Sequence, residues 1–81
     1  MITSQAYDAL LTAVSRVAPE ADLESVDPRE SLRQALDLDS LDFLAVVENI
    51  ATLTGVAVPE SDYLTVDSVE GFVQYLEHRM A

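Results

Sequence analysis

The stretch from Ser40 to Thr54 constrains the fold most, because it contains neither proline nor glycine over about four helical turns. Asp39 stands before it, where a carboxylate can cap the free N–H groups of a helix. Gly55 follows it, where a left-handed residue commonly ends a helix. The sequence therefore predicts a helix over 40–54. Its apolar residues, assigned to the buried side, are Phe43, Val46, Val47, Ile50 and Leu53.

Three further segments carry helical patterns of apolar spacing. Thr3 or Ser4 can cap the first of them, and Pro19 prevents its continuation. The run from Asp67 to Glu70 has the pattern of a capping box, which opens the last helix. The predicted helices cover about 4–17, 40–54, 60–64 and 68–79, and the third of these is short.

A long connection, residues 18–39, separates the first two main helices. Asp27 and Pro28 have the pattern of an N-cap and a first helical residue, so we expect a short helical turn near 29–35. No segment shows the alternation of a strand. The chain is predicted to be one all-α domain over 1–81, a four-helix bundle of three main helices plus a short third helix. The residues expected to hold the connection against it are Val26, Leu32, Leu36 and Leu38.

The charge of the chain is strongly negative: 15 acidic residues against 4 basic ones give a formal net charge of −11. Such a surface repels nucleic acids and anionic membranes and attracts basic protein partners. The first residues lack the basic and apolar regions of a secretory signal, and the chain has no cysteine. We therefore expect a cytoplasmic monomer that binds neither nucleic acid nor membrane.

Independent catalysis and metal binding are both disfavoured. His78, the only histidine, lies far in sequence from Ser40, so a Ser-His pair has little support. The acidic residues from Asp37 onward start like a calcium loop, but Leu41 and Asp42 stand where an oxygen ligand and a glycine belong. We expect no metal site.

The candidate site is the start of the second main helix. Ser40 places a hydroxyl in the first turn, where backbone N–H groups lack partners and a phosphate would be favoured. Asp37, Asp39 and Asp42 surround it; they oppose an anionic product and suit docking to a basic, magnesium-dependent modifying enzyme. Taken alone, these residues favour an ordinary helix start over a modification site.

The Asp39-Ser40-Leu41 run resembles the Asp-Ser-Leu signature of acyl carrier proteins, whose serine takes phosphopantetheine. The similarity extends along nearly the whole chain. It includes the loop before the signature, the continuation of the helix after it, the extended run that ends in proline, and the last helix. The matching stretches are Asp27-Pro28, Ser31-Leu32, Asp42-Phe43-Leu44, Thr54 to Pro59, Ser68-Val69, Phe72-Val73 and Tyr75-Leu76.

The resemblance implies a non-catalytic carrier. A phosphopantetheinyl transferase would attach the phosphopantetheine of coenzyme A to Ser40, with Asp39 shaping the helix start. The terminal thiol would then hold acyl groups as thioesters for partner enzymes of the ligase, acyltransferase and ketosynthase types. The residues expected to form the partner-recognition surface are Asp37, Leu41, Asp42, Leu44 and Glu48.

Two departures from the family pattern bear on the partners. The family usually has glycine where this chain has Asp37, a replacement that is tolerable if the backbone there is not left-handed. Ala45, Ala51 and Thr52 stand where helix carboxylates often appear, which indicates dedicated partners from a specialised acyl pathway rather than the fatty-acid synthase. Two alternatives remain open: an aminoacyl or peptidyl carrier, which often has histidine in place of Asp39, and an acidic helical adaptor that needs no reactive serine.

Overall fold

The computed structural model describes residues 4–80, which form an arrangement of helices without strands. Over these residues the predicted all-α bundle is confirmed. No helix among them is both long and apolar enough to cross a bilayer. The α-helices are α1 (Gln5–Val17), α2 (Leu32–Ala35), α3 (Ser40–Thr54) and α4 (Val69–Arg79), and 3-10 turns cover Leu23–Ser25 and Glu60–Asp62.

The ends of α1 and α3 follow directly from capping chemistry. Ser4 Oγ accepts a hydrogen bond from the backbone N–H of Tyr7 at 3.1 Å, while Thr3, the other predicted cap, lies outside the described residues. Asp39 caps α3. Gly55 ends α3 with φ of 79°, a left-handed conformation that glycine adopts without steric cost. The predicted bounds of α3 are confirmed.

The starts of α2 and α4 differ from the sequence prediction. Ser68 is the residue that caps α4, accepting from the N–H of Gly71 at 2.9 Å, so the predicted capping box from Asp67 to Glu70 is wrong. Asp27 does not begin a helix; its carboxylate closes a turn with the N–H of Arg29 at 2.9 Å. The helix starts later, where Ser31 caps α2. Serine oxygens cap both helices, and the carboxylates of the two aspartates accept hydrogen bonds from other residues.

The core lies where α1 packs against α3 and α4. Leu10, Ile50 and Leu76, one from each helix, are fully buried. Burying such a side chain contributes about 1.5–3 kcal/mol relative to leaving it exposed. Gly71 allows a further close approach, because a Cβ there would collide with the backbone carbonyl of Thr65.

The long connection packs on the core as predicted, with Val26 and Leu36 half-buried and one further residue buried, while one α3 residue expected inside is exposed. Leu32 and Leu38 are buried, and Leu23, which the sequence did not single out, is buried in the first 3-10 turn. Leu53, expected inside, is 39% exposed. The chain reverses at Gly55 just beyond it, and Val56 is buried instead.

The short third helix is a 3-10 turn over Glu60–Asp62 where a helix over 60–64 was predicted. Pro59 precedes it in extended conformation, and the N–H of Asp62 donates to the Pro59 carbonyl at 2.9 Å. Tyr63 and the residues after it form further turns rather than helix. This segment covers one side of the N-terminal half of α3.

Candidate functional site

The site begins at the tight turn that joins α2 to α3. The N–H of Leu38 donates to the Arg33 carbonyl at 2.8 Å, and the Leu38 side chain is buried. Asp37, just before it, has φ of 54°. This turn fixes where the first residue of α3 lies relative to α2.

The backbone at Asp37 is therefore left-handed, so the condition under which a side chain is tolerated there without strain is not met. Among residues with a side chain, aspartate and asparagine occupy this region most readily. The conformation still costs about 1 kcal/mol relative to glycine. The short turn from Arg33 to Leu38 imposes it, because the chain reverses there within a few residues. Asp37 thus holds a backbone conformation that the usual glycine of the family would adopt without steric cost.

A reciprocal capping box holds the start of α3. Asp39 Oδ1 accepts from the N–H of Asp42 at 2.8 Å, and Asp42 Oδ2 accepts from the N–H of Asp39 at 3.4 Å. Ser40, the first helical residue, is exposed between them. The positive end of the helix dipole makes this position favourable for a negative group by about 0.3–1 kcal/mol. The helix start presents the Ser40 side chain outward on a fixed backbone.

Beside Ser40 lies a shallow cleft of about 250 Å³ between α2, α3 and the second 3-10 turn. Its lining is mostly apolar, with one basic and one acidic side chain. The lining residues, called here the Ser40 cleft, are Arg33, Ser40, Leu41, Phe43, Leu44, Glu60 and Tyr63.

Two aromatic rings form the floor of the Ser40 cleft. The Phe43 and Tyr63 rings meet edge to face, with centroids 5.5 Å apart and planes at 74°. On its inner side Phe43 packs against Phe72, centroid to centroid 6.5 Å. Edge-to-face pairs add about 0.5–1.5 kcal/mol beyond the area they bury. The floor is therefore continuous with the hydrophobic core.

Arg33 is the basic residue of the cleft, and two contacts hold its guanidinium. It lies over the Phe43 ring, 5.2 Å from the centroid, and Nη2 donates to Asp67 Oδ2 at 3.2 Å. The same carboxylate accepts from Ser31 Oγ at 2.6 Å and from the Arg33 backbone N–H at 3.2 Å. Asp67, at the start of α4, thereby fixes α2 and orients the arginine.

The predicted recognition residues divide between the cleft and the surrounding surface. Leu41 is 76% exposed and Leu44 39% exposed, and both line the Ser40 cleft. Asp37, Asp42 and Glu48 lie outside its lining. Among residues 4–80 no three His, Cys, Asp or Glu side chains gather closely enough to hold a metal ion. The acidic residues around Ser40 form a dispersed negative surface.

Sequence reasoning missed four residues of the cleft. Arg33, Glu60 and Tyr63 received no role in the site, and Phe43 was assigned only to the buried side of its helix. Leu64, outside the cleft lining, is 83% exposed next to Tyr63 and was not predicted for the site either. The only available signal was the rarity of basic residues, since Arg33 is one of just 4 in the chain. That rarity does not indicate where the Arg33 side chain lies in the fold.

Two tyrosines outside the lining of the Ser40 cleft have shifted pKa values. Burial, followed by the hydrogen bond of its hydroxyl to Asp62 Oδ2 at 2.8 Å, raises the pKa of Tyr75. Burial and the nearby carboxylates, Glu24 first among them, raise the pKa of Tyr7. His78 lines a different depression with Gln74 and Glu77. The structure does not bring the histidine to Ser40.

Comparison with known proteins gives one family and no individual relative. The family model described as "Phosphopantetheine attachment site" matches residues 8–76, most of the chain. No curated protein and no solved structure matches. The local chemistry fits the attachment of phosphopantetheine. The Ser40 hydroxyl is exposed at a capped helix start, and it borders a cleft large enough for part of a flexible arm.

Proposed function

The chain belongs to the phosphopantetheine attachment family, and we propose that it is an acyl carrier protein whose arm is attached to Ser40. Phosphopantetheine is the covalently bound prosthetic group of the family, and its domains act as carriers rather than catalysts. The terminal thiol of that group holds the carried acyl group as a thioester.

The observation that carries the proposal is the position of Ser40. It is an exposed hydroxyl on the first residue of a 15-residue helix, held by the reciprocal Asp39–Asp42 cap and bordering a cleft. In the modification, Ser40 Oγ bonds to the phosphorus of the coenzyme A arm, displaces the nucleotide portion and loses its proton. A phosphopantetheinyl transferase supplies the base and the magnesium ion for that step.

After modification the chain itself contributes position rather than chemistry. The cap keeps the α3 start rigid, so the ester oxygen has a fixed place relative to the cleft. Leu38, buried behind it, prevents the turn from shifting. The helix N-terminus favours the phosphate charge, while the carboxylates of Asp37, Asp39 and Asp42 oppose it at short range.

The recognition surface is proposed to combine apolar contacts with charge. Leu41 and Leu44 supply exposed apolar area beside Ser40, and Asp37, Asp42 and Glu48 extend the negative field around it. Basic faces on the transferase and on acyl-loading or acyl-processing enzymes would be drawn to this field at rates that fall with salt. Ligase, acyltransferase and ketosynthase types are the proposed partner classes.

The pathway is proposed to be specialised, with acyl rather than aminoacyl cargo. Asp39 supports acyl cargo, and Ala45, Ala51 and Thr52 leave α3 with fewer carboxylates than fatty-acid synthase partners usually meet. Complementation of a primary fatty-acid carrier by this chain would contradict the specialised assignment. A cytoplasmic location remains a prediction.

Thiol labelling tests the carrier function sharply, because the chain has no cysteine. Incubation with a broad-specificity transferase, coenzyme A and magnesium should create one maleimide-reactive thiol on the wild type and none on Ser40→Ala. Ser61→Ala, another exposed serine at a short helical turn, is the matched control and should label like the wild type. No labelling with several transferases would favour the helical adaptor.

A further inference from the structure

The outer side of α4 carries a trough that shares no lining residue with the Ser40 cleft. Three depressions lie along this helix, and Glu77 lines all of them. The two larger ones, of about 350 and 270 Å³, therefore adjoin at Glu77 and form one trough. It runs between α4, the start of α1 and the turn at Pro28. The lining residues used below, called here the α4 trough, are Ala6, Pro28, Glu70, Val73, Gln74 and Glu77.

The floor of the α4 trough is apolar and its rim is acidic. Val73 and Ala6, whose side chains belong to the core, lie at the bottom. Glu70 and Glu77 are exposed on the rim. They are seven residues apart, so they lie on the same side of α4 with a rise of about 10.5 Å between them. Gln74, also exposed, stands between them. The trough thus presents two negative charges separated by a neutral strip.

The two rim carboxylates meet little positive charge within the chain. Among residues 4–80, Glu77 takes part in no ion pair, and Glu70 has only Arg29, 3.9 Å away between exposed side chains. An exposed pair of that kind contributes about 0–1 kcal/mol, so an incoming cation can replace Arg29 at little cost. The net charge of the whole chain, −11, favours the approach of a cationic surface.

The spacing of the rim charges specifies a partner. In a helix lying along α4, two Lys or Arg residues seven positions apart have the same rise of about 10.5 Å and face the same way. Both can therefore pair with Glu70 and Glu77 at once. An apolar residue between those two cations, on the same face of the partner helix, would cover Val73 and Pro28. We propose that the α4 trough docks a basic amphipathic helix of a partner protein, with cations seven residues apart.

Docking at the α4 trough goes beyond the carrier function and does not depend on the arm. Ser40, Leu41 and Leu44 lie outside the trough, so they stay exposed while a partner is docked there. A carrier held in this way keeps one partner while the enzymes that load or process the cargo take turns at Ser40. A single helix covers a small area, so the binding is reversible, and it weakens as salt rises.

The test titrates the isotope-labelled full chain with two synthetic helical peptides of identical composition, followed by nuclear magnetic resonance. The matched peptide has two lysines seven positions apart with leucines between them. In the control peptide the lysines are two positions apart and point to different sides of the helix. The matched peptide should shift the backbone amides of Gln74 and Glu77, leave those of Leu41 and Leu44 unchanged, and bind about tenfold more tightly than the control. Equal affinities, no binding at low salt, or shifts centred on Leu41 would overturn the proposal.

Two substitutions of exposed glutamines locate the surface. Gln74→Lys puts a positive charge between the rim carboxylates and should weaken binding of the matched peptide about tenfold, since like charges then face each other. Gln34→Lys, on α2 and outside the trough, makes the same change in net charge and should leave the affinity within about twofold. Equal weakening would mean that binding follows net charge alone, and would overturn the trough. Intact mass after transferase treatment should show the arm on both variants; peptide binding by a chain that takes no arm would contradict the carrier function and leave the trough standing.

Discussion

The two sides of α3 are held by different physical interactions. Toward α1 and α4 it presents Val46 and Ile50 to a core in which no charged or polar side chain is buried among residues 4–80. On the cleft side, directional contacts join the connection, the second 3-10 turn and α4. These are the Asp67 hydrogen bonds, the Arg33–Phe43 contact and the Tyr75–Asp62 bond.

The difference explains how a small chain keeps an exposed site in place. Apolar packing is strong but non-directional, and it needs surfaces buried on both sides. The cleft must stay open to partners, so it cannot be stabilised by burial alone. Hydrogen bonds that Asp67 accepts from Ser31 and Arg33 fix the orientation of the arginine there. They leave Ser40, Leu41 and Leu44 exposed. The following substitutions test this division.

The largest effect is expected in the core. Ile50→Ala removes a fully buried side chain and should lower the free energy of unfolding by about 2–5 kcal/mol. Leu53→Ala, on the same helix but 39% exposed, is the control and should cost less than about 1 kcal/mol by the same area argument. Urea denaturation followed by circular dichroism measures both. Equal losses would mean that the apolar side is not the main source of stability.

On the cleft side, the largest effect should come from Asp67. Asp67→Ala leaves Ser31 Oγ and the Arg33 guanidinium without their acceptor, and should cost about 2–3 kcal/mol. Glu70→Ala is the matched control, because the Arg29–Glu70 pair spans 3.9 Å between exposed side chains. Such a pair contributes about 0–1 kcal/mol. Similar losses of unfolding free energy in the two variants would mean that the Asp67 hydrogen bonds stabilise the fold no more than the exposed Arg29–Glu70 pair does.

Tyr75→Phe should cost about 1–2 kcal/mol at neutral pH, because it deletes the 2.8 Å hydrogen bond to Asp62. The pKa of Tyr75 is raised in the folded chain above 10.0 by burial first and by Asp62 second. The unfolded chain therefore loses this proton first, and the associated stability is present below about pH 10 and lost as pH rises further. Urea denaturation from pH 7 to 11 should show the gap between wild type and variant closing above pH 10. A constant gap would contradict the raised pKa.

The smallest effect is expected at Asp37, whose φ is 54°. Asp37→Gly should be as stable as the wild type or slightly more stable, and Asp37→Ala less stable by about 1 kcal/mol. Thermal unfolding of the three proteins gives the order. Alanine at least as stable as glycine would show that the left-handed turn is not retained in solution.

The apolar side of α3 was predictable from sequence and the cleft side was not. Asp39 and Gly55 define α3 because capping depends on neighbours in the chain. The Arg33–Asp67 contact joins residues 34 positions apart, and local patterns carry no information on such pairs. For the same reason Asp67 was assigned to a capping box, and the need for glycine at Gly71 was not foreseen.

Ser40 shows both what local sequence patterns predict and what they miss. Its place at the start of a helix followed from Asp39, and its proposed chemistry follows from the resemblance of the Asp39-Ser40-Leu41 run to a known signature. The neighbours that make its surroundings a cleft, Arg33 and Tyr63, come from two other segments and required the fold.

Intact mass after reaction with a phosphopantetheinyl transferase, coenzyme A and magnesium tests the central claim most directly. We expect the wild type to gain the mass of one phosphopantetheine group, with peptide mapping placing it on Ser40, and Ser40→Ala to gain none. Addition to Ser40→Ala, or to a serine other than Ser40 in the wild type, would contradict the account.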